Sequence, residues 1–139
     1  MPPLARPLCI AWCLAALHGL VWGDPLLVVV PEASPIQALT KQQLADIYLD
    51  RNATRSALAA VPLDREEAPL RDRYYQSLGI ASSAVRTYWA KRVFTGRGRP
   101  PAAVSAADLA TALNQQKNAM TYVEPQERPR HTRVVATLE

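Results

Sequence analysis

The chain has 139 residues, 49% of them hydrophobic and 20% charged, with a formal net charge of +4. That length holds one domain and excludes a multidomain enzyme. Its two cysteines, Cys9 and Cys13, sit near the start and leave the rest of the chain without a disulfide or a thiolate metal site.

The first segment carries one cation, Arg6, and then an apolar stretch over residues 8–17 that continues through Leu20 and Val21. This is the order of a secretory signal peptide, and Val21 and Gly23 offer the small side chains that place cleavage after Gly23. His18 and Gly19 interrupt a run that barely reaches the roughly 20 apolar residues of a bilayer span, so it reads as a leader rather than an anchor. The expectation is a leader over residues 1–23, an exported periplasmic domain over 24–139, and no membrane span after cleavage. Removing residues 1–23 from the 139 leaves 116, with Trp89 the one tryptophan and His131 the one histidine. A zinc site would then rest mainly on carboxylates, which is not the usual pattern, and no metal or cofactor is expected. The net charge falls to +3, and 12 of the remaining 15 cations are arginine. They are spread among acids instead of forming a block, which predicts a solvated surface and no nucleic-acid face.

Residues 26–30 form a β-branched run closed by Pro31, the pattern of a strand buried on both faces, as in a parallel sheet. After a turn-rich segment, Thr40 and Gln43 have the spacing of a capping box, opening a helix to Leu49 with Leu44, Ile47 and Tyr48 on one face. Residues 58–63 are a second apolar run of strand length. Pro69 suits the first turn of a helix whose buried face is Leu70, Tyr74 and Leu78, and Gly79 supplies a left-handed stop. Ser82 or Ser83 is expected to cap the next helix, to Thr95, with Val85, Tyr88, Trp89 and Val93 on one side as core.

The loop over residues 96–101, Gly-Arg-Gly-Arg-Pro-Pro, admits neither helix nor strand. Ser105 and Asp108 offer another capping box for a helix to Lys117, and residues 119–123 and 133–138 read as the last two strands. The order β-α-β-α-α-α-β-β predicts a layered α/β/α domain with a mostly parallel sheet, with a terminal antiparallel strand as its variant.

Two features of this pattern bear on chemistry. The glycines beside Arg97 and Arg99 let backbone amides and two guanidiniums approach an oxyanion, although the loop lacks the lysine and hydroxyl of a nucleotide loop. A helix stop with solvated arginines accounts for the same residues. His131 lies between Arg130 and Arg133, and no nucleophile elbow or oriented base accompanies it, so catalysis is not expected.

Several stretches together resemble one family. They are Ser34-Pro35-Ile36 after the first strand, Leu39-Thr40-Lys41-Gln42-Gln43-Leu44-Ala45-Asp46-Ile47-Tyr48-Leu49, Tyr88-Trp89-Ala90, Val93-Phe94-Thr95-Gly96-Arg97-Gly98 and Ala119-Met120-Thr121-Tyr122-Val123. The chain resembles the substrate-binding proteins of phosphate ABC importers and their small periplasmic relatives in the type 2 periplasmic-binding-protein superfamily. The resemblance implies one lobe of a two-lobed clamshell, a non-catalytic binding function, and phosphate or another small anion as ligand. It implies contact roles for Arg65 in the cationic position after the second strand and for Ser34 in the turn after the first.

The chain departs from that pattern at Asp64-Arg65-Glu66-Glu67-Ala68-Pro69-Leu70, where the family has a Ser-Gly-Thr turn whose amides and hydroxyls point at the anion. Here the glycine and hydroxyls are absent, and Pro69 has no amide hydrogen to give. A carboxylate about 4 Å from an anion repels it by on the order of 4 kcal/mol near a protein surface. Two readings follow. One is a lobe that binds an anion through Ser34, Arg65, Arg97 and Arg99, with a second lobe or a copy of itself as the other wall. The alternative is a ligand-free module that binds an envelope protein through the former cleft face.

Overall fold

A computed structural model describes residues 23–139, so the leader expected over residues 1–23 lies, but for Gly23, outside the described residues. Among the described residues no helix is long and apolar enough to cross a membrane. The chain runs β1 (Leu26–Pro31), α1 (Lys41–Tyr48), α2 (Thr54–Ala57), β2 (Val61–Arg65), α3 (Ala68–Ser77), α4 (Ser82–Phe94), β3 (Ala102–Val104), α5 (Leu109–Gln115), β4 (Ala119–Val123) and β5 (Thr132–Leu138). A 3-10 turn at Pro125–Glu127 joins the last two strands.

One five-stranded sheet has the order β3-β2-β4-β1-β5. β2 runs parallel to β3 and β4, whereas β1 runs antiparallel to β4 and β5, so every strand but β1 points the same way. In strand direction the expected mostly parallel sheet forms, although two of its four pairings, both made by β1, are antiparallel. The reversed strand is the first in the chain and lies inside the sheet. Burial on both faces marks β1 as central and says nothing of its direction, because a central strand is covered whichever way it runs.

Alternation along β1 divides the core. Leu26, Val28 and Val30 pack with Leu44, Ile47 and Tyr48 of α1, Leu70, Tyr74 and Tyr75 of α3, and Val85 and Trp89 of α4. Val29 turns the other way, toward Leu109 and Leu113 of α5 with Leu63, Ala119 and Val123. The result is the expected α/β/α layering, with three helices over one face and α5 over the other. Each fully buried aliphatic side chain contributes about 1.5–3 kcal/mol.

The capping box at α1 forms as expected: Thr40 Oγ1 accepts from Gln43 N at 3.1 Å, and Gln43 Oε1 accepts from Thr40 N at 2.9 Å. Gly79 follows α3 with φ +79, the left-handed stop. The second strand begins later than its apolar run. Leu58 N bonds back to Thr54 O at 3.1 Å, closing α2, and Ala59 turns left-handed at φ 48, so β2 occupies residues 61–65 and carries Asp64 and Arg65 into the sheet. β3 is an edge strand of three residues, too short to leave a period in the sequence. α4 starts at Ser82 with Ala81 as N-cap and no side-chain cap bond. Ser105 and Asp108 exchange hydrogen bonds, and α5 begins at Leu109. Val93, expected in the core, is 52% exposed, and Phe94 is 92% exposed. In the last turn of α4, Arg92 lies over the Tyr88 and Trp89 rings at 5.4 and 5.6 Å.

Candidate functional site

The parallel strands deliver β2 to one end of the sheet, where Asp64 and Arg65 are both buried. Arg65 has no exposed surface, and a guanidinium in that position must find counter-charge. It finds two carboxylates from different elements. Glu127, in the 3-10 turn after β4, takes a forked pair from Nη1 and Nη2 at 3.2 Å each. Glu67, the residue before α3, faces Nε through Oε2 at 3.3 Å. Nη1 also donates to the Tyr122 carbonyl at 3.0 Å. The turn is locked in turn, since Glu124 N donates to Glu127 Oε1 at 3.1 Å and Ala106 N donates to Glu67 Oε1 at 3.0 Å. Burial alone would lower the Arg65 pKa, but hydrogen bonds and charge from Glu127 and Glu67 outweigh it and hold the group above its ordinary value. Burial would likewise raise Glu67, yet backbone amides and the Arg65 charge hold its carboxyl below the usual range.

Behind Arg65 lies a tyrosine cluster built on Asp64. Its Oδ2 accepts from Tyr75 OH at 2.9 Å, and its Oδ1 accepts from the Arg65 amide at 2.9 Å and from Tyr122 OH. Tyr48, Tyr74, Tyr75 and Tyr122 are each no more than 1% exposed. Burial, followed by neighbouring charges including Asp64, raises all four phenols above the ordinary value of 10.0. The neutral phenol is the form the fold prefers. Stability from this source is therefore complete below the ordinary tyrosine value and is lost as pH rises beyond it. Titration from about pH 9 to 12 should release the buried phenolates together with loss of far-ultraviolet dichroism. Smooth ionisation of all tyrosines with the dichroism unchanged would contradict the cluster.

The remaining expected contact residues lie elsewhere. Ser34 is 6% exposed, and its Oγ accepts from Ile36 N at 3.2 Å, a local turn bond. It follows the end of β1, which sits beside the start of β4 because the two are antiparallel. Arg97 and Arg99 are exposed and make no ion pair among the described residues. Their loop is anchored by Arg92 Nη2 donating to Arg97 O at 2.9 Å. A Cβ on Gly98, at φ +143, would meet Arg92 Nη2 at 3.5 Å and Trp89 at 3.9 Å. The loop leads into β3, whose Ala102 pairs with Leu63 and whose Val104 pairs with Arg65. Ser34 and the arginine loop thus share the end where β2 and β4 begin, while Arg65 stands where β2 finishes. The five residues of β2 separate the two places by about 13 Å at the usual strand rise.

What gathers at the carboxyl end of β2 is a cluster of groups complementary to a carboxylate or other oxyanion: a buried guanidinium, the Ala106 amide and the start of α3. The connections leaving β2 and β3 pass to opposite faces of the sheet, the position where open α/β folds place ligands. Glu127 and the Ala106 amide give no local sequence signal, since they meet residues 62 and 39 positions away. Among the described residues no group of three or more His, Cys, Asp or Glu side chains is arranged to hold a metal.

No family model matches the chain. No curated protein matches it either. Solved structures do. One is an ABC-type phosphate transport receptor from Vibrio cholerae, 17% identical with a TM-score of 0.59, covering 81% of this chain and 45% of the receptor. Another is a protein from Clostridium perfringens described as a phosphate ABC transporter substrate-binding protein with bound phosphate, 16% identical with a TM-score of 0.61, covering 81% of this chain and 44% of that one. The chain spans less than half the length of either, and at these identities the likeness is one of fold. It shares the fold of somewhat under half of each of these proteins.

Proposed function

We propose that this chain is a non-catalytic binding protein, exported to the periplasm, that handles a small oxyanion such as phosphate at the carboxyl end of β2, with a partner protein or a second copy as the other wall. The observation that carries the reading is the convergence of the Arg65 guanidinium and the Ala106 amide on one carboxylate, the arrangement that suits an oxyanion. Similarity in fold to phosphate transport receptors adds support. Arg65 is the anion contact in this reading, whereas the buried Ser34 and the exposed Arg97 and Arg99 lie at the opposite end of the sheet.

The protein-interaction reading has its own observation. Both sides of the Arg65 guanidinium are taken by Glu67 and Glu127, so a lone chain offers a free anion little uncommitted charge. Phosphate binding by the isolated chain is accordingly expected to be no tighter than about millimolar, roughly −4 kcal/mol. Thermal melts in rising phosphate, sulfate and arsenate, run beside light scattering, test both readings. A saturable rise in melting temperature at millimolar anion supports oxyanion handling. A flat response to all three at unchanged mass discards it in favour of a protein partner, and micromolar affinity in the monomer overturns the need for a second wall.

A further inference from the structure

Glu67 occupies the position that an oxyanion would take. Its Oε1 receives the Ala106 amide at 3.0 Å, and its Oε2 lies 3.3 Å from the Nε of the wholly buried Arg65. The residue stands at the N-cap of α3, a helix of ten residues whose first amides and dipole favour negative charge. Yet the fit is incomplete. Arg65 Nε and Glu67 Oε2 are both buried without a well-directed hydrogen bond, although they face each other. No side-chain cap bond forms at the start of α3. The Glu67 side chain is still 39% exposed, so it has a path to solvent.

From this geometry we infer that Glu67 is a tethered occupant of the oxyanion site, a built-in carboxylate that excludes free anions until it swings out. The inference rests on the oxyanion reading above and names what regulates that site. Glu127 does not share the role. Its forked pair with Arg65 and its bond from the Glu124 amide are geometrically complete, and they hold the guanidinium in place whether or not Glu67 is present. Release of Glu67 would leave the Ala106 amide, the Arg65 Nε and the α3 terminus facing solvent together, with one negative charge fewer beside them. Glu67 Oε1 also accepts from Arg65 Nη2 at 3.5 Å, so the carboxylate reaches guanidinium and amide together and leaves only Nε without a directed bond. An incoming tetrahedral oxyanion has acceptors in more directions and can meet Nε as well.

The test is calorimetry of inorganic phosphate and sulfate on the full chain and on Glu67→Gln, Glu67→Ser and Glu66→Gln variants. Glu66 is exposed and makes no ion pair among the described residues, so Glu66→Gln removes the same charge one position away without freeing Arg65 or the Ala106 amide. Both Glu67 variants should bind phosphate at least about tenfold more tightly than the parent, with Glu66→Gln within about twofold of it. Glu67→Gln keeps an acceptor for the Ala106 amide, so it guards against a loss of folding that Glu67→Ser could cause, and circular dichroism checks both. Equal gains from Glu66→Gln would reduce the effect to general charge and overturn the inference. A parent that already binds tightly, with Glu67→Gln no better, removes the tethered occupant and keeps the oxyanion reading. Folded variants that bind neither anion remove both.

Discussion

Replacing Arg65 with methionine should destabilise the fold by roughly 2–4 kcal/mol, a fall of about 10–20 °C in melting temperature for a domain of this size. Methionine fills much of the same volume, so the loss is electrostatic rather than a cavity. The Tyr122 carbonyl loses its donor, and Glu67 and Glu127 lose the charge that gathers them at the strand end. Removing one partner of a fully buried ion pair typically costs about 3–5 kcal/mol. Here the carboxylates retain 39% and 29% side-chain exposure and can partly rehydrate, which lowers the figure. Adding Glu127→Gln to Arg65→Met should then cost less than the two single losses combined, because the second change removes a charge already stranded. A single variant melting within about 2 °C of the parent would show that Arg65 is not held as described.

Truncation of Tyr74 to alanine should cost about 3–5 kcal/mol in chemical denaturation. Tyr74 has no exposed surface and is the centre of the aromatic cluster. Its ring stacks on Tyr122 at 3.8 Å and 7°, and meets Tyr48 and Tyr75 edge-on at 4.9 and 5.4 Å. These contacts join α3 to β4 and α1, so the void opens between layers where backbone elements cannot close it. Tyr74→Phe preserves the rings and should stay within about 1 kcal/mol of the parent. An unchanged denaturant slope with a lower midpoint would mark the loss as one of stability alone. A cost below about 1 kcal/mol for alanine would mean the cluster repacks without it.

Much of the layering was legible before any coordinates. The 26–30 run, the Thr40 capping box, Pro69 and Gly79 each carry a local physical signal, and each stands where that signal put it. Boundaries failed where the signal was local but the decision was not. The apolar run at residues 58–63 reads as strand throughout, yet a short helix and a left-handed Ala59 take its start. The edge strand β3 exists because residues 102–104 reach the backbone of β2, and three residues carry no period of their own. Val93 keeps the spacing of a core face, yet it is 52% exposed in the last turn of α4, because spacing along a helix does not decide which of its turns another element covers.

The sequence by itself determined the α/β/α class, the order of the main elements and the presence of a charged stretch after the second strand, because periodicity, caps and charge are properties of neighbours along the chain. The resemblance read from it also pointed to Arg65 as the cation of an anion site. The direction of β1, the meeting of Arg65 with Glu127 across 62 positions, the seat of Glu67 on the Ala106 amide, and the separation of Ser34 and the arginine loop from Arg65 were decided by the tertiary structure alone. Those are relations between surfaces and charges that become adjacent only when the sheet closes, where a buried guanidinium takes whichever carboxylates the fold brings to it.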